Sequence, residues 1–297
     1  MRLGFLGTGV MGASMAGHLL DAGHEVTVHT RTAAKAASLL DRGAVWAASP
    51  VEAAEGRDAV LSIVGMPSDV ESVYLGEGGV LSASAVPGLL IDMTTSTPTL
   101  ARRIHAEAAR RGGAAIDAPV SGGDVGARNA TLSIMVGGDP GPVEQAMPLF
   151  QAMGKAIVHQ GPAGAGQHTK MVNQILIASM MIGVCEGLLY AERAGLDGAR
   201  VIESVGGGAA GSWTINNLGP RMLQRDFEPG FYVEHFLKDL GIALEEAGQM
   251  GLDLPGLAQA HAFYEQVQAA GMGRKGTQAL LCLLEQLNGA DRNQLGA

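Results

Sequence analysis

The first half of the chain repeats one pattern: a short apolar run, a glycine- or proline-marked turn, then an alanine-rich stretch with apolar residues three and four apart. The short runs predict strands at 3–6, 25–29, 59–64, 89–91, 114–117, 132–136 and 157–159. The 3.6-residue period predicts helices over 11–22, 33–42, 99–111 and 143–153. Strands and helices alternating at this spacing predict βαβ units around a largely parallel sheet, with right-handed crossovers placing helices on both faces.

Past Gly161-Pro162 the strand signal stops. Only helical runs follow, broken by AGLDG, GGGAAG, FEPGF and LDLPG. The first of them, over 165–194, would be about 45 Å long at 1.5 Å per residue. Its apolar residues fall on every face, which predicts a helix buried all round, joining two domains or packed against a partner subunit. The expected organisation is an α/β domain over 1–162 and an all-α domain over 163–297, joined by this long central helix. No internal repeat of fixed period is visible.

Composition narrows the partners. A 297-residue chain that is 47% hydrophobic and only 16% charged folds around a sizeable core. A net charge of -9 argues against a general nucleic-acid binder or a surface that clings to anionic lipid. Cys185 and Cys282 form no CxxC pair and read as small core residues in a reducing compartment. MRLGFLGTG lacks the apolar region of a signal peptide, and the run 175–190 is short for a membrane span and carries Glu186. The expectation is a cytoplasmic protein, with the sequon at Asn129 a chance match.

LGFLGTGVMGASMAGHLL sets Gly7, Gly9 and Gly12 directly between the first strand and the first helix. G-x-G-x-x-G there is a dinucleotide-binding turn: Gly7 permits the tight turn, Gly9 lets backbone approach a pyrophosphate, and Gly12 lets the helix lie close on the strand. The helix N-terminus then offers N–H groups to the anion. The domain over 1–162 is therefore expected to be of Rossmann type. An NAD site of this kind carries an acid at the end of the second strand. EVTVHTRTAAK has none; Thr30, Arg31 and Thr32 stand there, and two hydroxyls with a guanidinium suit a 2′-phosphate. NADP is the expected cofactor, with NAD the alternative.

Three more stretches carry candidate chemistry. IDMTTSTP puts Thr94, Thr95 and Ser96, and IDAPVSGG puts Ser121, Gly122 and Gly123, at the carboxyl ends of apolar strands, where open α/β sheets bind ligands. A Ser-Gly-Gly turn can present a hydroxyl and unobstructed N–H groups to a carboxylate. The chain has only five lysines, and two of them, Lys170 in GAGQHTKMVNQ and Lys238 in FLKDLGIALEEA, sit beside apolar helices. Lys170 and Asn173, three apart, share one helix face.

Taken in order, GFLGTGVMG, DMTTSTP, DAPVSGGDVGA, GAGQHTKMVNQ and GFYVEHFLKDLGIALEEA resemble the β-hydroxyacid dehydrogenase family, which includes 3-hydroxyisobutyrate dehydrogenases and tartronate semialdehyde reductases. The resemblance runs nearly the whole length. It implies an NAD(P)-dependent oxidoreductase that interconverts a small β-hydroxy acid and its semialdehyde, NADP being preferred. Lys170 would be the catalytic acid/base, assisted by Asn173, with the substrate carboxylate on Ser121, Gly122 and Gly123. The cofactor would be held by Gly7, Thr8, Gly9, Val10, Met11 and Gly12, by Thr30, Arg31 and Thr32, by Val64, Gly65 and Met66, and by Thr95, Phe231 and Lys238. A homodimer or homotetramer built through the helical domain is expected, with no nucleic acid, membrane or metal involved. Two departures bear on the substrate pocket: the family often has Gly where Ala130 stands and Asn where Gln174 stands. Reduction of imines or larger aldehydes on the same scaffold, and a non-catalytic dinucleotide-sensing module, are the alternatives. The 6-phosphogluconate dehydrogenases share the architecture but are considerably longer.

Overall fold

The computed structural model describes residues 1–289 and divides into two compact units, Met1–Lys170 and Met171–Ala297. The first unit runs β1 (Arg2–Leu6), α1 (Gly12–Asp21), β2 (Glu25–His29), α2 (Ala37–Leu40), β3 (Val45–Trp46), α3 (Pro50–Ala54), β4 (Ala59–Ser62), α4 (Pro67–Leu75), β5 (Leu89–Asp92), α5 (Pro98–Arg110), β6 (Ala114–Asp117), β7 (Val120–Ser121), α6 (Gly123–Arg128), β8 (Leu132–Gly137), α7 (Pro140–Gln151) and β9 (Gly154–Gly161). The strands form one sheet in the order β3-β2-β1-β4-β5-β6-β8-β7, with β9 on β8. Strands β1 to β6 are parallel; β8 runs antiparallel to β6 and β7. This is the doubly wound, dinucleotide-binding order.

Successive strand residues point to opposite faces, and two apolar clusters result. Phe5, Leu61 and Ile91 join Met15 and Leu19 of α1 on one face, while Leu6, Val60 and Leu90 join Val70 and Tyr74 of α4 on the other. Proline opens α3, α4, α5 and α7, where its missing N–H has no partner to lose.

Every strand expected from the sequence is present. The two-residue strands β3 and β7 and the helices α3, α4 and α6 were not foreseen, being too short for a periodic signal. The expected helix over 33–42 divides into a 3₁₀ turn (Ala33–Ala36) and the short α2.

Helix α8 (Ala165–Arg193) begins in the first unit and continues in the second, followed by α9 (Gly198–Gly206), α10 (Gly219–Leu223), α11 (Val233–Gln249), α12 (Pro255–Val267) and α13 (Leu280–Leu287). Among the described residues of the second unit no strand forms. Its core sets Met181, Cys185 and Leu188 of α8 against Phe236, Leu240 and Tyr264. Both cysteines are buried and free.

The expectation that α8 is buried all round fails within one chain. By length and composition α8 could cross a membrane, yet only a third of its apolar window is buried (33%). Val172, Leu176, Met180 and Tyr190 are exposed along one side. A contact-free zone surrounds Gly183 and Gly187 on that side, where an added Cβ would meet nothing within 4 Å. The rest of the unit packs against the opposite face of the helix, and α9 buries none of its residues. Composition reports how apolar a helix is; which face neighbouring elements cover is settled by packing.

Candidate active site

The glycine turn between β1 and α1 is tight by necessity. Gly7 has φ +97°, and a Cβ on Gly12 would lie 1.9 Å from the Gly7 carbonyl oxygen, whereas a Cβ on Gly9 would meet nothing within 4 Å. Gly9 lies three residues before the start of the ten-residue helix α1, whose first N–H groups have no side-chain cap. Beside it, the hydroxyl of Thr8 is buried without a partner. Gly7 N–H is tied to the His29 carbonyl at 2.8 Å, which joins this turn to the end of β2. There Thr30, Arg31 and Thr32 follow, and Arg31 Nη1 donates to Asp69 Oδ1 at 3.0 Å. Asp69 Oδ2 accepts from Met66 N–H at 3.1 Å, so one carboxylate links the Thr30–Thr32 turn to the Val64–Met66 turn.

Beneath these turns lies a buried polar network. Ser62, Asp92 and Asp117 stand side by side at the carboxyl ends of β4, β5 and β6. Ser62 Oγ donates to Asp92 Oδ1 at 2.8 Å and is itself 2.8 Å from the Tyr74 hydroxyl. Asp92 Oδ1 also accepts from Thr94 N–H at 3.1 Å, and Thr94 Oγ1 accepts from Val64 N–H at 2.9 Å. Asp92 thus braces both the Val64 turn and the loop carrying the half-buried Thr95. Burial pushes its carboxyl up to about 6, against the opposing hydrogen bonds from Thr94 and Ser62.

Asp117 does a different job. Its two carboxylate oxygens accept from Gly164 N–H at 2.7 Å and Gln167 N–H at 2.8 Å, satisfying donors that the first turn of α8 would otherwise leave without partners. Burial raises its pKa, opposed by these backbone donors. The Gln167 side chain accepts from Ser96 N–H at 2.9 Å and donates to the Thr94 carbonyl at 2.8 Å. One turn on, Lys170 is buried, and its Nζ donates to the Val120 carbonyl at 2.9 Å. The next residues are Ser121, half-buried, and Gly122 and Gly123 with φ of +129° and +61°. The sequence places Lys170 and this turn fifty residues apart; the fold brings them together, with Lys170 Nζ on the Val120 carbonyl.

In the second unit another chain of polar groups is buried. Asn173 Nδ2 donates to Gln174 Oε1 at 2.7 Å, Gln174 Nε2 donates to Asp239 Oδ2 at 2.6 Å, and Lys238 Nζ pairs with Asp239 Oδ1 at 2.9 Å. Asn173 and Lys238 are thereby brought together through two residues the sequence reading did not assign to the site. Phe231 packs on the edge of Phe236, ring centroids 5.9 Å apart.

Comparison with known proteins accounts for both units. Residues 2–161 match the family described as the NAD binding domain of 6-phosphogluconate dehydrogenase, and residues 164–284 match the one described as NAD-binding of NADP-dependent 3-hydroxyisobutyrate dehydrogenase. A probable 3-hydroxyisobutyrate dehydrogenase-like protein (like 1, mitochondrial) of Arabidopsis thaliana is 53% identical over 97% of this chain and 86% of its own length. The 2-hydroxy-3-oxopropionate reductase of Escherichia coli is 39% identical over 96% of this chain and 97% of its own. The chain belongs to the β-hydroxyacid dehydrogenase family. Among solved structures, the 3-hydroxyisobutyrate dehydrogenase of Mycobacterium tuberculosis with L-serine superposes at a TM-score of 0.85, with 32% identity, covering 96% of this chain and 99% of that one.

Membership of the β-hydroxyacid dehydrogenases brings a nicotinamide dinucleotide, and the residues present fit one. The space left open at Gly9, the amide-lined helix start and the buried, unpartnered Thr8 hydroxyl form a cradle for a pyrophosphate. The departure at residue 130 carries a conformational cost. Ala130 has φ +52°, in the left-handed region where glycine is at ease and alanine is strained. Of the residues missed from sequence, Asp92 and Asp117 carried a signal: each is an acid closing an otherwise apolar strand, LLID and AAID. Asp69, Gln167 and Asp239 carried none.

Proposed function

We propose that this β-hydroxyacid dehydrogenase, an NAD(P)-dependent oxidoreductase, interconverts a small β-hydroxy acid and its semialdehyde with Lys170 as acid/base, and that it prefers NADP. The observation that carries the reading is the hydrogen bond from the buried Lys170 ammonium to the carbonyl of Val120, the residue before Ser121-Gly122-Gly123. A buried ammonium is costly unless it is held and used. Here a neutral carbonyl holds it next to a turn whose hydroxyl and backbone N–H groups suit a carboxylate. The matched relatives point the same way, since 2-hydroxy-3-oxopropionate carries a carboxylate and an aldehyde on a three-carbon skeleton.

The bound dinucleotide supplies or accepts the hydride. Ser121, Gly122 and Gly123 hold the carboxylate and so orient the reacting carbon. In reduction Lys170 Nζ gives a proton to the carbonyl oxygen; in oxidation the neutral amine takes the hydroxyl proton. Asn173, its amide braced by Gln174, positions the substrate. Asp117 and Gln167 hold the first turn of α8, and with it Lys170, in place.

Preference for NADP rests on Arg31 between two threonines, and on a match to a family described as NADP-dependent. We further propose a homodimer or homotetramer through the second unit, where one side of α8 is exposed and α9, with Ile202 and Val205 against the core, buries none of its residues fully.

Lys170→Ala tests the central assignment. Turnover is expected to fall 10²–10⁴-fold, the range for a lost general acid, with NADPH affinity and melting temperature nearly unchanged. Turnover preserved per folded molecule refutes it.

A further inference from the structure

The end of β2 has no acid in the sequence, yet the fold delivers one. Asp69, 38 residues further on, sets Oδ1 3.0 Å from Arg31 Nη1. The two partners are held unequally. The Asp69 side chain is 23% exposed and is anchored by accepting from Met66 N–H, while the Arg31 side chain is 83% exposed and has no other hydrogen-bond partner among the described residues. The carboxylate is the more firmly held member of the pair.

We propose that Asp69 is a cofactor-specificity residue: its carboxylate, fixed against Arg31, offsets the attraction of the Thr30-Arg31-Thr32 turn for a 2′-phosphate and keeps the site open to both NADP and NAD. This rests on the reading that the turn receives the adenosine ribose. The carboxylate takes one edge of the guanidinium and leaves a phosphate to bind the other. Carboxylate and phosphate then lie on the order of 6 Å apart across the guanidinium, near enough for repulsion to survive screening at physiological salt. Asp69 also orients Arg31, which favours phosphate binding. A single ion pair at so exposed a side chain contributes little order, so repulsion of a group carrying nearly two negative charges outweighs it. NAD, with a neutral 2′-hydroxyl, feels neither effect strongly.

The test uses Asp69→Asn, which removes the charge and keeps an oxygen for Met66 N–H, with Asp69→Ser as a second neutral variant. Each is titrated with NADPH and NADH by dinucleotide fluorescence at low and high salt, with Arg31→Ala measured alongside. Tighter NADPH binding by about threefold to tenfold in both neutral variants, fading at high salt, with NADH changed less than twofold, supports the proposal. If Arg31→Ala weakens NADPH but the neutral variants leave it unchanged or weaken it, Asp69 does not oppose the phosphate and the proposal is overturned alone. If Arg31→Ala leaves NADPH unaffected, the reading of the turn fails and the proposal falls with it.

Discussion

Asp92→Asn isolates the most perturbed carboxyl in the first unit. Buried at the end of β5, Asp92 holds its proton up to about 6 in the folded protein, against 3.8 ordinarily. Between those values the folded state binds a proton that the unfolded chain has lost, so this group's stabilising contribution falls as pH rises through the window. At 1.36 kcal/mol per pH unit the full change is about 3 kcal/mol, of which about 2 kcal/mol lies between pH 4.5 and 8. Asparagine keeps an oxygen to accept from Ser62 Oγ and Thr94 N–H, so the bracing of the Val64 and Thr95 loops survives while the titration disappears. The assay is urea unfolding of both proteins at several pH values across that range. Relative to the wild type, the variant should gain stability by about 2 kcal/mol from pH 4.5 to 8, most of it below pH 6.5. A stability difference that stays flat with pH, or moves the other way, refutes the reasoning.

Gly9→Ala should fold normally and lose dinucleotide binding, because its Cβ enters the open space that the proposed cofactor site reserves for the pyrophosphate, whereas Gly12→Ala should fail to fold well, its Cβ lying 1.9 Å from a backbone oxygen. Circular dichroism with cofactor titration separates the two, and equal behaviour counts against the cradle. Ala130→Gly should stabilise the protein by about 0.5–1 kcal/mol in urea unfolding, strain relief at φ +52° exceeding the entropy lost by glycine. Leu176→Glu, on the exposed side of α8, should lower the oligomeric state in light scattering; a wild type that is monomeric at micromolar concentration removes the basis of that expectation.

What the sequence determined by itself is what depends on near neighbours. Strand and helix periods located the strands and most of the longer helices of the first half, and the glycine turn announced itself because its chemistry lies within six residues, from Gly7 to Gly12. Ser121-Gly122-Gly123, Lys170 and Lys238 were legible as residue types in short motifs, with roles drawn from the family resemblance. Tertiary structure alone decided how those groups are held. Asp92 meets Ser62 across 30 positions, Asp117 meets Gln167 across 50, and Gln174 meets Asp239 across 65. Such partners follow from strand order and helix docking, and no local pattern encodes them. The same holds for Asp69, an ordinary acid in PSDVESVYL until β4 and α4 bring it to Arg31. Helix α8 marks the limit most plainly: its residues made it apolar, but only the packing of its neighbours chose which side stays open.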